Sequence, residues 1–422
     1  MSIQTNPDLR RSVIYELYVR SHTPQGTFRA VEPDLPRIRA LGTDILWLMP
    51  IHPIGQENRK GSMGCPYANR DYRTVNPEYG TLEDFLHLVE EIHKRGMKCI
   101  IDVVYNHTSP DSVLAHTHPE YFLRDAAGKP TRKVTDWWDV VDLDYANRDL
   151  WTYQIDTLKQ WAAIVDGFRC DVASSVPLDF WCEARRQVET VRPGCIWLAE
   201  SVHAAHTMAM RRAGYYCAAD TELYDAFDIT YDYDIWPFYE GFLKGELSLR
   251  AYTDILNYQE LTYPTGYIKA RCLENHDTPR AASWLDSDRQ LYHWLGFLYF
   301  QRGAAMLYSG MEYAPKKQVS LFDADDNYGD MRLDVQLYLG RCKAMKQTLP
   351  LGGGFWWEAL DDSVALGHYD GPEGQALGVF DLRGQGGEVS VNLPDGVYRN
   401  RLGGEVTVRN GRLPLGEYPV VI

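Results

Sequence analysis

The regular alternation of short apolar segments with amphipathic helical patterns is the sequence feature that most constrains the fold. Strands are predicted at 13–19, 44–48, 97–104, 165–170, 196–199, 223–227, 268–273 and 304–307. Helices are predicted at 32–41, 81–95, 150–161, 177–191, 207–213, 249–261, 290–301 and 333–346. Strands that are each followed by a helix favour an α/β fold, the (β/α)₈ TIM barrel. An open doubly wound sheet is the alternative, but no Gly-rich phosphate-binding turn follows the first strand.

Two segments interrupt this alternation and predict further domains. Residues 106–147 follow the third strand without a clear helix and are too long for an ordinary loop, which indicates an inserted subdomain. After the glycines at 352–354, short alternating segments separated by turn residues predict an antiparallel β-sandwich over 352–422. The barrel is therefore expected over 1–105 and 148–351.

Charge and cysteine placement exclude several classes of protein. The formal net charge of −15 disfavours binding to nucleic acid or to anionic membranes. The polar start MSIQTNPDLRR lacks the apolar core of a secretory signal, and no apolar stretch is long enough to span a bilayer. Eight cysteines without a C-x-x-C pair indicate neither a zinc site nor a disulfide framework. These features predict a cytoplasmic protein with reduced thiols.

Carboxylates cluster where the predicted strands end. Asp171 ends the fourth strand, Glu200 the fifth and Asp277 the seventh, and all three would meet at one mouth of a barrel. Side chains alternate along a strand, so Arg169 points to the same side as Asp171.

Such crowding raises the pKa of one acid while a neighbouring Arg keeps another ionised. This division of protonation states suits glycoside hydrolysis, in which one carboxylate attacks and a protonated partner donates to the leaving oxygen. Any one of these residues alone would more often be a helix cap, a surface charge or a structural hydrogen-bonding group. The joint arrangement is far more specific.

Four segments carry a resemblance to a known family. DVVYNH (102–107), GFRCDVA (167–173), LAES (198–201) and ENHDTP (274–279) resemble, in order, the four signature regions of the α-amylase family of glycoside hydrolases. VDLDY (141–145) and GCPY (64–67) resemble further motifs of that family. The resemblance extends from about residue 12 to about residue 350.

The resemblance implies a role for each residue of the site. Asp171 matches the nucleophile that forms a covalent glycosyl-enzyme, Glu200 the general acid/base, and Asp277 the third carboxylate, which binds sugar hydroxyls and stabilises the transition state. The substrate-binding residues it implies are Tyr67, His107, Arg169, His276 and Arg280. For Arg280, a solvent-exposed salt bridge is the alternative. Asp102 and Asn106 are expected to brace Arg169 and the inserted loop.

Two departures from the family's pattern leave parts of the function open. Ser175 stands where many relatives carry His or Lys that contacts the acceptor sugar or lends a carbonyl to calcium, so no cofactor or metal ligand is assigned and a structural calcium ion is in doubt. A valine at the position of Val172 often accompanies α-1,6 cleavage in related enzymes, although ordinary packing also explains a valine there. Trp137 and Trp138 fit either a sugar platform or the core of the insert.

The resemblance therefore implies a retaining α-glucan hydrolase that cleaves α-1,4 bonds of maltodextrins or of starch-like or glycogen-like chains. An α-1,6-glucosidase or a transglycosylase would use the same residues. A non-catalytic carbohydrate-binding barrel is disfavoured because the three acids are present, and a phosphate-handling barrel because a Gly-rich anion site is missing. Endo or exo action, chain length and oligomeric state stay open.

Overall fold

A computed structural model describes residues 5–325 and 331–422. Its centre is a closed parallel barrel in which each strand pairs with the next along the chain and the last pairs with the first. Within the described residues the barrel strands are Val13–Leu17, Ile45–Leu48, Lys98–Val103, Gly167–Cys170, Ile196–Ala199, Ile229–Tyr231, Lys269–Arg271 and Ala304–Tyr308. The predicted fold class, a TIM barrel with a C-terminal antiparallel β domain, is confirmed.

Helices surround the barrel and bury one face against it. Leu82–Lys94 shows why they form: Thr81 and Asp84 make a reciprocal capping box at its start. The longer helices are Leu35–Ala40, Leu82–Lys94, Arg148–Ala162, Leu178–Val188, Ala204–Arg212, Trp236–Leu243, Leu249–Thr262, Asp288–Phe300 and Gln336–Gln347. Short helices lie at Val19–His22, Phe28–Val31, Val113–Thr117 and Ala281–Trp284. The 3₁₀ helices are Pro7–Arg11, Glu32–Asp34, Pro119–Tyr121, Ala173–Ser175, Glu222–Asp225 and Met311–Tyr313. No helix of the described ranges combines the length and apolar character that crossing a membrane requires.

The sixth barrel strand lies later in the chain than the sequence predicts. Residues 223–227, predicted as that strand, are mostly in the 3₁₀ helix Glu222–Asp225, and the strand is Ile229–Tyr231. The sequence does not indicate this strand because Asp228, a charged residue, precedes a short apolar run, and that pattern resembles a turn. In the structure Asp228 is buried and accepts hydrogen bonds from Arg185 and from the backbone N–H of Trp197.

The insert after the third strand contains secondary structure that the sequence did not predict. Its ends are joined by an antiparallel pair of short strands, His107–Thr108 and Val141–Asp142. Between them, Ser112 caps the short helix Val113–Thr117, and the 3₁₀ helix Pro119–Tyr121 follows. The sequence shows no clear helix here because a five-residue helix is too short to have a periodic apolar face.

The C-terminal domain contains three antiparallel sheets. A four-stranded sheet comprises Gly354–Ala359, Val364–Gly371, Gly374–Asp381 and Val420–Val421. Two pairs accompany it: Glu388–Ser390 with Arg412–Pro414, and Gly396–Arg399 with Glu405–Val408. Trp357 packs this domain against the barrel, with its ring centroid 4.3 Å from that of Phe297 and 5.7 Å from that of Phe300.

Candidate active site

The three predicted acids meet in one cleft at the carboxyl ends of the barrel strands. A cavity of about 190 Å³ touches all of them. Asp171 and Glu200 are buried, whereas the side chain of Asp277 is 47% exposed at the rim. The predicted residues that line this cavity are Tyr67, His107, Asp171, Glu200, His276 and Asp277.

Arg169 is the charged centre beneath the cleft. Its Nη1 donates to Asp171 Oδ1 at 2.8 Å and to Asp102 Oδ1 at 3.0 Å, while its Nη2 lies 3.1 Å from Glu200 Oε2. Arg169 and Asp102 are fully buried, so water does not screen these pairs. One guanidinium therefore holds Asp171 by a hydrogen bond and places its positive charge beside Glu200. It does not line the cavity, so Arg169 acts on the carboxylates rather than on a sugar.

The environments of the two buried acids separate their protonation states. Burial raises the pKa of Asp171 to about 6, and the adjacent Arg169 opposes that rise. Burial raises the pKa of Glu200 to about 7; Arg169 opposes this shift, and the Asp171 and Asp277 carboxylates add to it. Arg169 donates a hydrogen bond to Asp171 but none to Glu200, so Asp171 is the acid that is held ionised and Glu200 the one suited to carry a proton.

Val172 ties the strand that carries the nucleophile to the one that carries the second acid. Its φ of 41° is in the left-handed region, which a β-branched residue rarely adopts. This turn aims the Val172 N–H at Glu200 Oε2, 2.7 Å away, and the next N–H, from Ala173, at the Glu200 carbonyl, 3.1 Å away. Backbone strain of this kind concentrates at functional sites, where neighbouring contacts maintain it.

His276 carries a positive charge at the other side of the cleft. Burial alone would lower its pKa, but the Asp277 and Glu16 carboxylates outweigh burial and raise the pKa of His276 to about 9. Its Nδ1 bonds to Glu16, and its Nε2 lies 3.3 Å from Asp277 Oδ2. The Tyr67 ring stacks on His276 with centroids 5.1 Å apart, and Tyr67 donates its hydroxyl to Asp102 Oδ2 at 3.0 Å.

His107 lies on the side of the cleft nearest the insert. Its Nε2 is 3.8 Å from Asp171 Oδ2 and its Nδ1 is 3.1 Å from Asn106 Nδ2. Burial lowers the pKa of His107, which favours the neutral imidazole. The Trp137 ring lies 5.3 Å from it and also lines the cavity.

Arg280, like Arg169, was predicted to bind substrate but does not line the cavity. It is fully buried, its Nη1 donates to Glu274 Oε1 at 2.6 Å, and its Nη2 donates to the Ser309 carbonyl at 3.0 Å. Neither sugar contact nor a solvent-exposed salt bridge therefore describes it. The ion pair with Glu274 turns the side chain into the protein, behind the loop that carries Asp277.

The sequence did not identify several residues of the site. Glu16 is a charged residue inside the apolar first strand, a signal that could have placed it in the barrel. Lys60 reaches the cavity from the loop after the second strand. A second groove of about 690 Å³ continues beyond Asp277 and is lined by His203, Tyr233 and Trp236 among others. The His203 and Tyr233 rings stack with centroids 4.4 Å apart; Tyr233 is buried, whereas His203 and Trp236 are partly exposed.

Metal ligands are not gathered in this cleft. The described ranges contain no group of three or more His, Cys, Asp and Glu side chains placed to hold a metal ion. The acids of the cleft bind arginine, histidine or backbone donors instead.

A closed parallel barrel with paired carboxylates at the carboxyl ends of its strands is the kind of site in which barrel enzymes carry out acid–base chemistry. The sequence matches the family described as "Alpha amylase, catalytic domain" over residues 8–139 and 133–347, and "Bacterial Alpha amylase C-terminal domain" over 357–422. These matches cover most of the chain. The protein belongs to the α-amylase family.

Solved structures of similar proteins cover almost the whole chain. An α-amylase from Lactobacillus plantarum is 44% identical, with 99% of each chain covered and a TM-score of 0.96. A noncanonic maltogenic α-amylase from Thermotoga neapolitana is 34% identical, with 98% of each chain covered and a TM-score of 0.85.

A curated relative carries the name of a transferase. It is an α-1,4-glucan:maltose-1-phosphate maltosyltransferase from Myxococcus xanthus, 31% identical over 56% of this chain and 38% of the relative. The chain thus spans little more than a third of that relative's length.

Proposed function

We propose that this protein is a retaining α-glucan hydrolase that cleaves α-1,4 bonds of maltodextrins or of starch-like or glycogen-like chains. The observation that carries the proposal is the sharing of one buried guanidinium by Asp171 and Glu200. It keeps two acids of unequal pKa beside one cavity, as a double-displacement mechanism requires.

The chemistry follows from the free oxygen of each acid. Asp171 Oδ1 is held by Arg169, so Oδ2 attacks the anomeric carbon and forms an ester as the glycosidic bond breaks. Glu200 gives its proton to the departing oxygen. A water then loses a proton to Glu200 and attacks the same carbon, which releases Asp171. Two inversions retain the α configuration.

Asp277 stands at the rim and the buried His276 lines the cavity beside it, where both can bind sugar hydroxyls during the two steps. The Tyr67 ring offers a flat apolar face within the same cavity. The lining offers acceptors, donors and an aromatic face, which suits a neutral polyhydroxylated substrate better than an anion.

Transglycosylation is the second candidate, and the groove beyond Asp277 favours it. The partly exposed rings of His203 and Trp236 offer a surface for an acceptor sugar that would replace water at the glycosyl-enzyme. The maltosyltransferase names among the curated relatives point the same way.

Product chromatography after incubation with maltoheptaose, pullulan and isomaltose tests the proposal. We expect shorter maltodextrins from maltoheptaose and little or no release from isomaltose, with Asp171→Asn as the inactive control. Products longer than maltoheptaose would indicate transfer, and isomaltose cleavage would indicate α-1,6 action. No turnover of any α-glucoside would contradict an enzymatic role.

The cellular location of the protein is also a proposal. We infer a cytoplasmic location because all eight cysteines are free thiols. Fractionation of the native host would test it, and recovery outside the cytoplasm would contradict it.

A further inference from the structure

Lys133 stands at the junction between the insert and the barrel. Its Nζ donates to Asn106 Oδ1 at 2.7 Å and to the Ser175 carbonyl at 3.5 Å, and lies 3.6 Å from Asp142 Oδ2. Asn106 follows the third barrel strand, Ser175 lies in the turn after the nucleophile, and Asp142 belongs to the insert. One ammonium group therefore joins three separate segments, and its side chain is only 11% exposed.

The oxygens around Lys133 are of the kinds that a calcium ion prefers: an amide oxygen, a backbone carbonyl and a carboxylate. In this protein the ammonium group of Lys133 supplies the positive charge at the centre of these oxygens. A calcium ion sharing these oxygens would lie within a few ångströms of a buried ammonium, and the repulsion between them would be large. These oxygens, which include the carbonyl of Ser175 at the position that the resemblance links to calcium, therefore do not fit a calcium ion here.

The charges of the insert support this conclusion. Asp142 is fully buried, and its Oδ1 has no hydrogen-bond partner, so Lys133 is the cation that balances it within the described residues. Asp139, the other buried acid of the insert, lies 2.9 Å from Lys60 Nζ. Each buried carboxylate of the insert is thus matched by a lysine, so neither needs a divalent cation to balance its charge.

We propose that Lys133 is a built-in structural cation that takes the place of calcium. It fixes the insert to the loop that carries Asn106 and to the turn that carries Ser175. It also positions the site: Lys133 holds Asn106 Oδ1, Asn106 Nδ2 contacts His107 Nδ1 at 3.1 Å, and His107 Nε2 faces Asp171. Lys133 does not line the cavity with the catalytic acids, so it is a positioning residue.

The first test uses the unaltered protein. After exposure to calcium and desalting, elemental analysis should find far less than one calcium per chain. The melting temperature should be the same in millimolar EDTA and in millimolar CaCl₂. Stoichiometric bound calcium, or a melting temperature that falls in EDTA, would overturn the proposal. Neither measurement depends on the proposed hydrolase function.

The second test removes the ammonium. Lys133→Ala leaves Asp142 without its counter-charge and should lower the melting temperature by several degrees. Lys129→Ala is the matched control, because Lys129 is an exposed lysine of the same insert. Lys133→Gln, which keeps a hydrogen-bond donor without the charge, serves if the alanine variant does not fold.

A cation-specific rescue separates this role from ordinary packing. Lys133→Ala should lose about tenfold in kcat, because a group that it positions in the site is misplaced. Added calcium should raise the melting temperature of this variant and recover part of the lost kcat. The unaltered protein and Lys129→Ala should not respond. A Lys133 variant that matches Lys129→Ala, or one that is destabilised but indifferent to calcium, would contradict the proposal. Only the measurement of kcat depends on the proposed function; the melting temperatures do not.

Discussion

The backbone N–H of Val172 donates to Glu200 Oε2 at 2.7 Å, so the residue after the nucleophile holds the second catalytic acid in place. Arg169 Nη2 approaches the same oxygen, and within residues 5–325 and 331–422 no donor reaches Oε1. Oε1 is therefore the oxygen that can carry a proton to the leaving group. The left-handed turn at Val172 costs about 1–3 kcal/mol, which the surrounding contacts must supply.

The pH dependence of kcat/KM should be bell-shaped, with its maximum between about pH 6 and about pH 7. As the pH falls through the pKa of Asp171, the nucleophile becomes protonated and activity declines. As the pH rises through the pKa of Glu200, the proton donor is lost and activity declines again. Initial rates on maltoheptaose across this range measure both limbs.

A control identifies the alkaline limb. Glu200→Gln cannot lose a proton in this range, so its residual activity should show no alkaline decline. An unaltered enzyme whose kcat/KM is constant from mildly acidic to mildly alkaline pH would contradict these assignments.

Arg169→Lys should lower kcat by about a hundredfold and move the acid limb to higher pH. A single ammonium cannot reach Asp171, Asp102 and Glu200 together, so the buried Asp171 loses part of the charge that keeps it ionised. Arg185→Lys is the matched control: Arg185 is buried and pairs with Asp228 outside the cleft. An acid limb that does not move in Arg169→Lys, or moves equally in Arg185→Lys, would refute this role.

Tyr67 offers a test that separates its ring from its hydroxyl. Tyr67→Phe loses only the hydrogen bond to Asp102 and should reduce kcat/KM by about fivefold. Tyr67→Ala loses the ring that stacks on His276 and faces the cavity, and should reduce kcat/KM by about a hundredfold. Equal losses in the two variants would show that the hydroxyl, not the ring, matters.

Trp137 and Trp138 are neighbours with different surroundings. Trp137 lines the cavity and stacks near His206, whereas Trp138 is 52% exposed and contacts Lys60. Trp137→Ala should lower kcat/KM for maltoheptaose by about tenfold, the worth of one aromatic contact with a sugar. Trp138→Ala should change it less than twofold, because an exposed ring contributes little. A larger effect at Trp138 would reverse the assignment.

The sequence predicts the acids of the cleft because they depend on a local rule. Asp171, Glu200 and Asp277 each follow an apolar strand, and parallel strands in a barrel end at the same edge. The contact of Arg169 with Asp171 follows from the alternation of side chains along one strand, whereas its approach to Glu200 was not predicted. These features need only the order of strands along the chain.

Other features depend on pairings between distant residues and could not be predicted. Glu16 of the first strand bonds to His276, which follows the seventh strand, and Arg280 turns away from the cleft because Glu274, six residues earlier, binds it. Asp228 hides the sixth strand because its charge is balanced by Arg185, which the local sequence does not reveal. The strained φ of Val172 contradicts the backbone preference of valine and arises from its tertiary contacts.

Proton NMR of the sugar released from maltoheptaose tests the central claim most directly. At an enzyme concentration high enough for cleavage to outrun mutarotation, attack by Asp171 followed by water predicts that the α-anomer signal of the new reducing end grows first. The β-anomer should appear only later, at the rate of mutarotation, and Asp171→Asn should give neither. A β-anomer formed first would show a single inversion and contradict Asp171 as the nucleophile.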